Sequence, residues 1–420
     1  MTDIAISTLA PRRAAIIGSD AEALDVARKL AADFAREAGA RDRERRLPLP
    51  ELERYSQSGL WGITVPREHG GAGVSRVTLA EVTAIISGAD GSLGQIPQNH
   101  YYALEVLRVN GNADQQRRFY ARALAGERFG NALAEIGTRT AAERRTRLSA
   151  DGGGGWRING SKFYCTGALY AQWIPTAAVG EDGLQRLAFV RRDSPGVEVI
   201  DDWSGFGQRV TGSGTVLFKD VAVPAADVMV LIDPAAPPNT IKPLAQIIHA
   251  AIDLGIGQAA LADALDFVRE RSRPWIDAGV ERAADDPLTV SEFGRLSIRL
   301  DAARALVARA GRILDVATAD PQPHLVAPAA IAVAEARALT TESALAAGTK
   351  LFELAGTQAT LDQLNLDRHW RNARTHTLHD PVRWKRHAVG NYYLNDAAPG
   401  RVGTTWSLRN GTPWRRSRSS

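Results

Sequence analysis

Cysteine is almost absent from this sequence: Cys165 is the only one, so the chain can form neither an internal disulfide nor a cysteine-based metal site. Long apolar runs are also lacking, and none approaches the roughly 20 residues that span a bilayer. The first stretch, MTDIAISTLAPRRAAIIGSD, carries an early acid and no continuous apolar segment, so we expect no signal peptide. These absences predict a cytoplasmic protein without a membrane anchor.

An excess of one charge is confined to the end of the chain. The formal net charge is +4 at pH 7, and four arginines lie among the last dozen residues, Arg409, Arg415, Arg416 and Arg418. Without them the rest of the chain is neutral. A basic end on a neutral body is typical of a solvated tail, so we expect no nucleic-acid partner. With 420 residues the chain is long enough for several subdomains with a large buried core.

Several well-known catalytic motifs are missing. The glycine-rich segment DGGGGW at 151–156 precedes a β-rich run rather than a helix, which predicts a surface loop and not a dinucleotide-binding turn. There is no Walker motif, no HExxH zinc motif and no G-x-S-x-G nucleophile elbow. TGSGT at 211–215 resembles the elbow only superficially, because a β-rich run follows it. The sequence therefore gives no sign of a nucleotide-driven machine, a zinc protease or a serine hydrolase.

Helical periodicity dominates both ends of the chain. From Asp20 to about Gly126 apolar residues recur at spacings of three and four, and Ser19 or Asp20 can cap the first helix while Gly126 stops the last. From 239 to 397 the chain is again amphipathic, with three long stretches and a histidine-rich segment. This second part predicts a four-helix bundle.

Between the helical parts the pattern changes to short β-rich runs bounded by glycine, proline and aspartate. In GWRINGSKFYCTG the pair Asn159-Gly160 favours a tight hairpin turn between two strands. The expected fold is therefore mainly α with a β domain. Its predicted parts are an N-terminal helical domain (19–126), a middle antiparallel β domain (127–238), a C-terminal four-helix bundle (239–397) and a basic tail (398–420).

Histidine is concentrated in NARTHTLHDPVRWKRHAVGN, residues 372–391, which contains three of the eight histidines in the chain. His376 and His379 are three apart and Asp380 follows, so the side chains can share a helical face. The spacing differs from the zinc-protease pattern, and we expect no metal. Proton handling or hydrogen bonding suits such a segment, although composition alone favours satisfied core histidines.

The order of helical domain, β domain and four-helix bundle resembles the acyl-CoA dehydrogenase fold. Five segments are similar to the flavin-dependent monooxygenase branch of that superfamily, which includes dibenzothiophene monooxygenases and sulfur-acquisition oxidoreductases: DGSLGQIPQNH, KFYCTGA, DDWSGFGQR, RSRPWIDAGVERAADDPLTV and DRHWRNARTHTLHDPV. The resemblance extends over about residues 20–397. It implies a homotetrameric, two-component monooxygenase that oxygenates a small organosulfur compound through a flavin C4a-hydroperoxide. Reduced FMN would come from a separate NAD(P)H-dependent flavin reductase.

The resemblance also implies which residues carry the chemistry. His379 is expected to hydrogen-bond to the flavin hydroperoxide, because imidazole exchanges protons near neutral pH, and His376 is expected to support it. Thr166 is expected to act with them at the N5 and O4 edge of the flavin. Asn131, from FGNALAE, is expected near the same ring.

Further expected contacts concern the rest of the cofactor and the substrate. The resemblance implies that Trp203 packs on the flavin and that Arg273 pairs with its phosphate across a subunit boundary. The segment GQIPQNH is expected to line the substrate pocket with Gln95, Asn99 and His100. Gln95 and Asn99 stand where dibenzothiophene monooxygenase has a histidine and a tyrosine, so we expect a smaller, more polar substrate than an aromatic thiophene.

Two other functions remain open for the same fold. In one subgroup of acyl-CoA dehydrogenases a catalytic glutamate stands at the register of Asp380-Pro381-Val382, so the chain could be an FAD-dependent dehydrogenase with Asp380 as its base. A shorter carboxylate followed by proline is a poor substitute, and FELAGTQATL lacks the Gly-Gly pattern that holds the adenosine of FAD. Oxygenation with FMN is therefore favoured, and hydroxylation of a nitrogen or carbon atom is the second alternative.

Overall fold

A computed structural model of the chain describes residues 14–140, 143–233 and 235–399. The predicted basic tail lies outside these residues from position 400 onward. The described chain runs from helices through a β-sheet to a second set of helices, as the periodicity predicts.

The N-terminal helices begin at the predicted cap. The Ser19 side chain accepts a hydrogen bond from the backbone N–H of Glu22 at 3.2 Å, which confirms Ser19 as the residue that caps the first helix. Gly126, two residues after the last helix, has a φ of 84°, a left-handed conformation that glycine adopts without strain. The α-helices of this part are α1 (Asp20–Ala35), α2 (Ala38–Glu44), α3 (Leu49–Gln57), α4 (Arg76–Ala89), α5 (Gly91–Gln95), α6 (Gln98–Asn110) and α7 (Ala113–Leu124).

A buried arginine of α2, Arg41, joins that helix to α1, α3 and the N-terminus of α5. The Arg41 guanidinium donates to Asp90 Oδ2 at 2.9 Å, to Glu51 Oε1 at 3.1 Å and to the Phe34 carbonyl at 2.7 Å. The other oxygen of Asp90 accepts from the backbone N–H of Ser92 at 2.8 Å, so Asp90 caps α5. Arg41 therefore holds the carboxylate that caps the short helix α5.

The middle part is a single seven-stranded sheet with the strand order β5-β6-β2-β1-β3-β4-β7. Its strands are β1 (Arg147–Ala150), β2 (Trp156–Lys162), β3 (Trp173–Gly180), β4 (Gln185–Arg191), β5 (Val197–Ile200), β6 (Thr215–Val223) and β7 (Val228–Ile232). β1 and β3 run parallel, whereas the other paired strands are antiparallel. The prediction of a purely antiparallel domain is wrong at this pair, because the chain passes β1 on its way from β2 to β3.

The predicted hairpin turn is also wrong in its position. Asn159 and Gly160 lie inside β2, where the pairing with β6 shifts register and Gly160 has a φ of 155°. The turn is formed instead by the glycine-rich segment between β1 and β2. There Asp151 Oδ1 accepts hydrogen bonds from the backbone N–H groups of Gly153 and Gly155, both at 2.8 Å. Pairing along the sheet overrides the local preference of the Asn-Gly pair.

The C-terminal part is the predicted bundle, with its fourth helix interrupted. The long helices are α8 (Ile241–Glu270), α9 (Pro287–Ala319) and α10 (Pro323–Ala355), and the histidine-rich segment forms α11 (Asp367–His376) and α12 (Arg383–Asn395). The break contains Pro381, which cannot donate a backbone hydrogen bond inside a helix. His376 therefore ends α11, and His379 lies in the turn that follows rather than on the same helical face.

Helix α8 is at the centre of the bundle. It is long and apolar enough to cross a membrane, but 72% of its most apolar window is buried in the protein. A core helix of a bundle has the same length and composition, and α8 packs against α4, α9 and α10.

Arg41→Ala should lower the free energy of unfolding by about 3–5 kcal/mol, because it leaves the buried carboxylates of Asp90 and Glu51 without this cation. As a control, Arg28→Ala removes an exposed partner of Asp25 and should change the free energy by at most about 1 kcal/mol. Urea unfolding followed by circular dichroism measures both. Equal effects of the two substitutions would contradict the role assigned to Arg41.

Candidate active site

Three segments meet around the loop between β5 and β6. Gln208 in this loop donates its backbone N–H to Asn372 Oδ1 on α11 at 2.6 Å, and its side chain donates to the Gly91 carbonyl of α5 at 3.3 Å. The residue after Thr166, Gly167, lies against the turn between α5 and α6, since a Cβ there would be 3.3 Å from Ile96. The β domain, the α5–α6 corner and α11 therefore form one site.

Thr166 begins a chain of buried hydroxyl groups. Thr166 Oγ1 lies 2.7 Å from Ser213 Oγ, which lies 2.7 Å from Thr211 Oγ1, and Thr211 donates to the Gln208 carbonyl at 3.0 Å. A hydroxyl has one proton to donate, so Thr211 accepts from Ser213 and Ser213 accepts from Thr166. The proton of Thr166 is thereby committed, and its oxygen is left as a hydrogen-bond acceptor.

Aromatic rings lie beside this hydroxyl chain. Tyr164 has a φ of 59°, unusual for a non-glycine residue, and its ring is 49% exposed at 6.2 Å from the Trp203 ring. Asn131 supports this backbone by donating to the Tyr164 carbonyl at 3.1 Å, and Trp203 Nε1 donates to the Gln208 carbonyl at 2.9 Å. The structure thus brings Asn131 and Trp203 together around Tyr164, which sequence reasoning missed.

The α5–α6 corner contains buried amides with unused polar atoms. Gln95, Gln98 and Asn99 are each at most 5% exposed. Among the described residues, Gln95 Oε1, Gln98 Oε1 and Asn99 Nδ2 have no hydrogen-bond partner. Buried polar atoms are nearly always paired, so these three point to a polar ligand at this corner.

His100 differs from these neighbours because both of its ring nitrogens are already used. Nε2 lies 2.9 Å from the Trp61 carbonyl, and Nδ1 accepts from the backbone N–H of Phe129 at 3.1 Å. Burial lowers the pKa of His100 to about 3. The geometry places His100 in the core between aromatic rings, with no nitrogen left for a substrate.

A second cluster lies where α8, α10 and α11 meet. Asp253, which has no solvent exposure, accepts hydrogen bonds from His376 Nδ1, from Arg337 Nη1 and, at 2.9 Å, from Thr341 Oγ1. Burial alone would raise the pKa of Asp253, but the Arg337 guanidinium and His376 lower it below the ordinary value. Asp253 is therefore an ionised carboxylate inside the bundle.

Two further histidines adjoin His376. Its Nε2 lies 2.9 Å from Nδ1 of His249, and the His249 and His379 rings are 4.0 Å apart. Burial, followed by the nearby positive charges, lowers the pKa of His249 well below its ordinary value, and burial outweighs Asp253 in lowering the pKa of His376. His379 is an exposed residue, but loss of solvation around its ring, then the protonated form of His376 and the Arg337 guanidinium, lower its pKa to about 4. All three imidazoles are neutral at neutral pH.

His249 was not singled out by sequence reasoning, although one signal was available. His249 and Asp253 are four residues apart on α8, so both face the same neighbour. Among the described residues, no group of three or more histidine, cysteine or acidic side chains is arranged to hold a metal ion.

Asp380 lies between two cationic side chains. It forms an ion pair with Lys385 Nζ, and its other oxygen lies 3.8 Å from Arg337 Nη2. Burial would raise the pKa of Asp380, but Lys385 and then Arg337 lower it. A carboxylate with a lowered pKa and two cationic neighbours is a weak base, which disfavours proton abstraction by Asp380.

Arg273 lies away from these groups, in the segment between α8 and α9. It is exposed and forms no ion pair with the described residues. Two exposed apolar side chains follow, Trp275 at 71% and Ile276 at 85% exposure. The role of Arg273 at a phosphate across a subunit boundary therefore stays a prediction.

Comparisons with known proteins agree with this architecture. The acyl-CoA dehydrogenase N-terminal domain matches residues 20–127, and the C-terminal domain matches residues 247–384. The chain is 33% identical over 416 residues to a dibenzothiophene monooxygenase of Rhodococcus erythropolis, with 93% of this chain and 98% of that protein covered. It is 32% identical over 392 residues to a probable FMNH2-dependent monooxygenase, SfnC, of Pseudomonas putida, with 90% and 96% covered.

Two solved structures extend the likeness to three dimensions. FMN-bound TdsC from Paenibacillus sp. A11-2 has a TM-score of 0.85 and 31% identity, over 90% of this chain and 98% of that one. The methanesulfinate monooxygenase MsuC from Pseudomonas fluorescens has a TM-score of 0.82 and 31% identity, with the same coverage.

Gln95→Leu should leave the free energy of unfolding within about 1 kcal/mol of the wild type or raise it, because Gln95 Oε1 is buried without a partner. Gln115→Leu is the matched control, since that buried amide donates to the carbonyls of Ala226 and Val228. It should cost about 1–3 kcal/mol. The midpoints of urea unfolding measure both changes. An equal loss of stability in the two variants would show that Gln95 stabilises the fold and would contradict its assignment to a ligand site.

The low pKa of His379 predicts a pH effect on stability. As the pH falls from 6.5 to 4, the unfolded chain takes up a proton at this position that the folded chain does not. The contribution to stability is therefore present above pH 6.5 and lost through this window. His379→Gln should make the fall in unfolding free energy shallower between these pH values, measured by urea midpoints. An unchanged slope would contradict the assignment.

Proposed function

The chain belongs to the acyl-CoA dehydrogenase superfamily, within its flavin-dependent monooxygenases, and on that premise we propose that it uses reduced FMN and O2 to oxygenate a small organosulfur compound in sulfur acquisition. The relatives supply the reaction class, because they are named as monooxygenases of sulfur compounds. The residues of this chain supply the reasons for preferring that reaction to dehydrogenation.

The observation that carries the proposal is the contrast between Asp380 and the histidines. A dehydrogenase needs a free carboxylate to remove a proton from carbon, and Asp380 is held by Lys385 beside Arg337. The site presents the neutral imidazoles of His249 and His379 instead. Neutral imidazoles can give or take protons at oxygen, as oxygenation requires.

The β-domain face fits a flavin. Thr166 offers an acceptor oxygen, which suits the N–H of a reduced flavin ring better than the bare nitrogen of an oxidised one. Asn131 and Trp203 hold the surface on which the ring packs, and Arg273 binds the phosphate. When bound, reduced FMN supplies the two electrons with which O2 gives one oxygen atom to the substrate and one to water.

The amides of the α5–α6 corner define the kind of substrate. Asn99 Nδ2 is an unused buried donor, and Gln95 Oε1 and Gln98 Oε1 are unused buried acceptors. A small polar sulfur compound, such as a sulfinate, provides oxygens for the Asn99 donor, and a flip of the Gln95 or Gln98 amide turns its NH2 group toward the same oxygens, whereas an aromatic thiophene provides no such oxygen. The substrate is therefore closer to that named for the methanesulfinate monooxygenase than to dibenzothiophene.

The chain works with partners. Reduced FMN comes from a separate NAD(P)H-dependent flavin reductase, and both proteins act in the cytoplasm, where NAD(P)H is available. The proposed active unit is a homotetramer, and the exposed Arg273, Trp275 and Ile276 support a contact with a neighbouring copy.

The test is a single-turnover reaction of photoreduced FMN with 18O2. Methanesulfinate, dibenzothiophene and indole are offered separately, and product and hydrogen peroxide are measured. One atom of 18O should enter the sulfonate formed from methanesulfinate, and His379→Ala should lower product yield about 100-fold while peroxide release rises. The exposed residue His324, replaced by alanine, serves as the control and should change neither. Absence of labelled product with every compound, together with reduction of bound FAD by an acyl-CoA, would overturn the proposal in favour of dehydrogenation.

A further inference from the structure

A line of buried side chains lies behind His379. Asp253, His376 and His249 are each at most 2% exposed and join α8 to α11 by consecutive hydrogen bonds. Burying a carboxylate and two imidazoles is unfavourable compared with an apolar contact of similar volume. The role given to His379 does not by itself require the hydrogen bonds that join His249, His376 and Asp253. The burial of these three polar side chains therefore needs a functional explanation.

The hydrogen bonds determine which nitrogen of each ring carries the proton. Asp253 is ionised and accepts from His376, so His376 is protonated on Nδ1. In the neutral His376 ring Nε2 is then bare and must accept from Nδ1 of His249, 2.9 Å away. His249 is consequently protonated on Nδ1, and its Nε2 is bare.

The bare nitrogen is the open end of the line. No described residue hydrogen-bonds to Nε2 of His249, and the His249 ring lies 4.0 Å from that of His379. At the other end, Arg337 and Thr341 hold Asp253, so the carboxylate cannot turn away. Both oxygens of Asp253 are therefore occupied at one end of the line, whereas Nε2 of His249 at the other end is free to accept a proton from the site.

We propose that Asp253, His376 and His249 form a proton relay behind His379, an inference that rests on the proposed function. A proton taken up at Nε2 of His249 displaces the Nδ1 proton of that ring to Nε2 of His376. His249 is again neutral, and His376 becomes an imidazolium beside the carboxylate of Asp253. The reverse transfer returns the proton to the site, where the oxygen atom that leaves as water requires one. Within the relay only N–H bonds form and break; the final transfer breaks an N–H bond at His249 and forms an O–H bond on the leaving oxygen, and the relay transfers no electrons.

A second histidine on α11 provides a matched control. His369 Nε2 lies 2.7 Å from Asp263 Oδ2, so the same two helices carry a second buried histidine beside an aspartate. Arg368 also binds this pair, but among the described residues no second imidazole hydrogen-bonds to His369. A purely structural role predicts similar effects of changing His369 and His376, whereas a relay predicts different ones.

The first experiment reads the tautomers directly in flavin-free protein. NMR of 15N-histidine-labelled wild type should show His249 protonated on Nδ1 with a bare Nε2. His376→Gln should release His249 to the Nε2-protonated form that free histidine favours, and His369→Gln should leave it unchanged. Protonation of His249 on Nε2 in the wild type would contradict the relay without any reference to flavin chemistry.

The second experiment measures function. In the single-turnover reaction, His249→Gln and His376→Gln should each lower product yield about tenfold and raise hydrogen peroxide by the corresponding amount. The dissociation constant for FMN should stay within about twofold, because neither residue is assigned to the flavin surface. His369→Gln should keep the wild-type yield. Full yield in His249→Gln would overturn the relay. If the wild-type protein makes no product, the proposed function is wrong. The NMR experiment would still show, independently of that result, whether Nε2 of His249 is bare.

Discussion

The buried ion pair between Asp253 and Arg337 is the interaction on which the rest of the site depends. A carboxylate without solvent exposure is strongly unfavourable unless its oxygens are paired, and here Arg337, Thr341 and His376 satisfy both of them. Because α8, α10 and α11 each contribute to this arrangement, the pair sets the relative positions of the three helices. The orientation of His376, and through it that of His249, follows from the same carboxylate.

Helix α11 also contacts the β domain, and so links the buried ion pair to it. Asn372, one turn before the end of α11, accepts the backbone N–H of Gln208, whose carbonyl ends the hydroxyl chain that begins at Thr166. The approach is close: a Cβ at Gly207 would lie 2.0 Å from the carbonyl oxygen of Arg371. One helix therefore connects the acceptor at the β-domain face with the neutral histidines of the bundle.

The same fold carries dehydrogenases and monooxygenases, so the chemistry is decided by a few side chains rather than by the architecture. The register that the resemblance assigns to the dehydrogenase base is that of Asp380, which forms an ion pair with Lys385. The sequence showed both the histidine-rich segment and the family resemblance, and together they predicted His376 and His379 as site residues. The partner His249 was not found, because the two residues that bond to His376 are more than one hundred positions away along the chain.

The sequence by itself determined what depends on near neighbours: the helical periodicity, the Ser19 cap and the β-rich middle. Only the tertiary structure decided what depends on distant partners. It placed Asn159-Gly160 inside a strand, set β1 parallel to β3, and aligned His249 with His376. The physical reason is that turn preference and helix capping act over a few residues, whereas strand register and the pairing of buried charges are settled by whichever elements pack together.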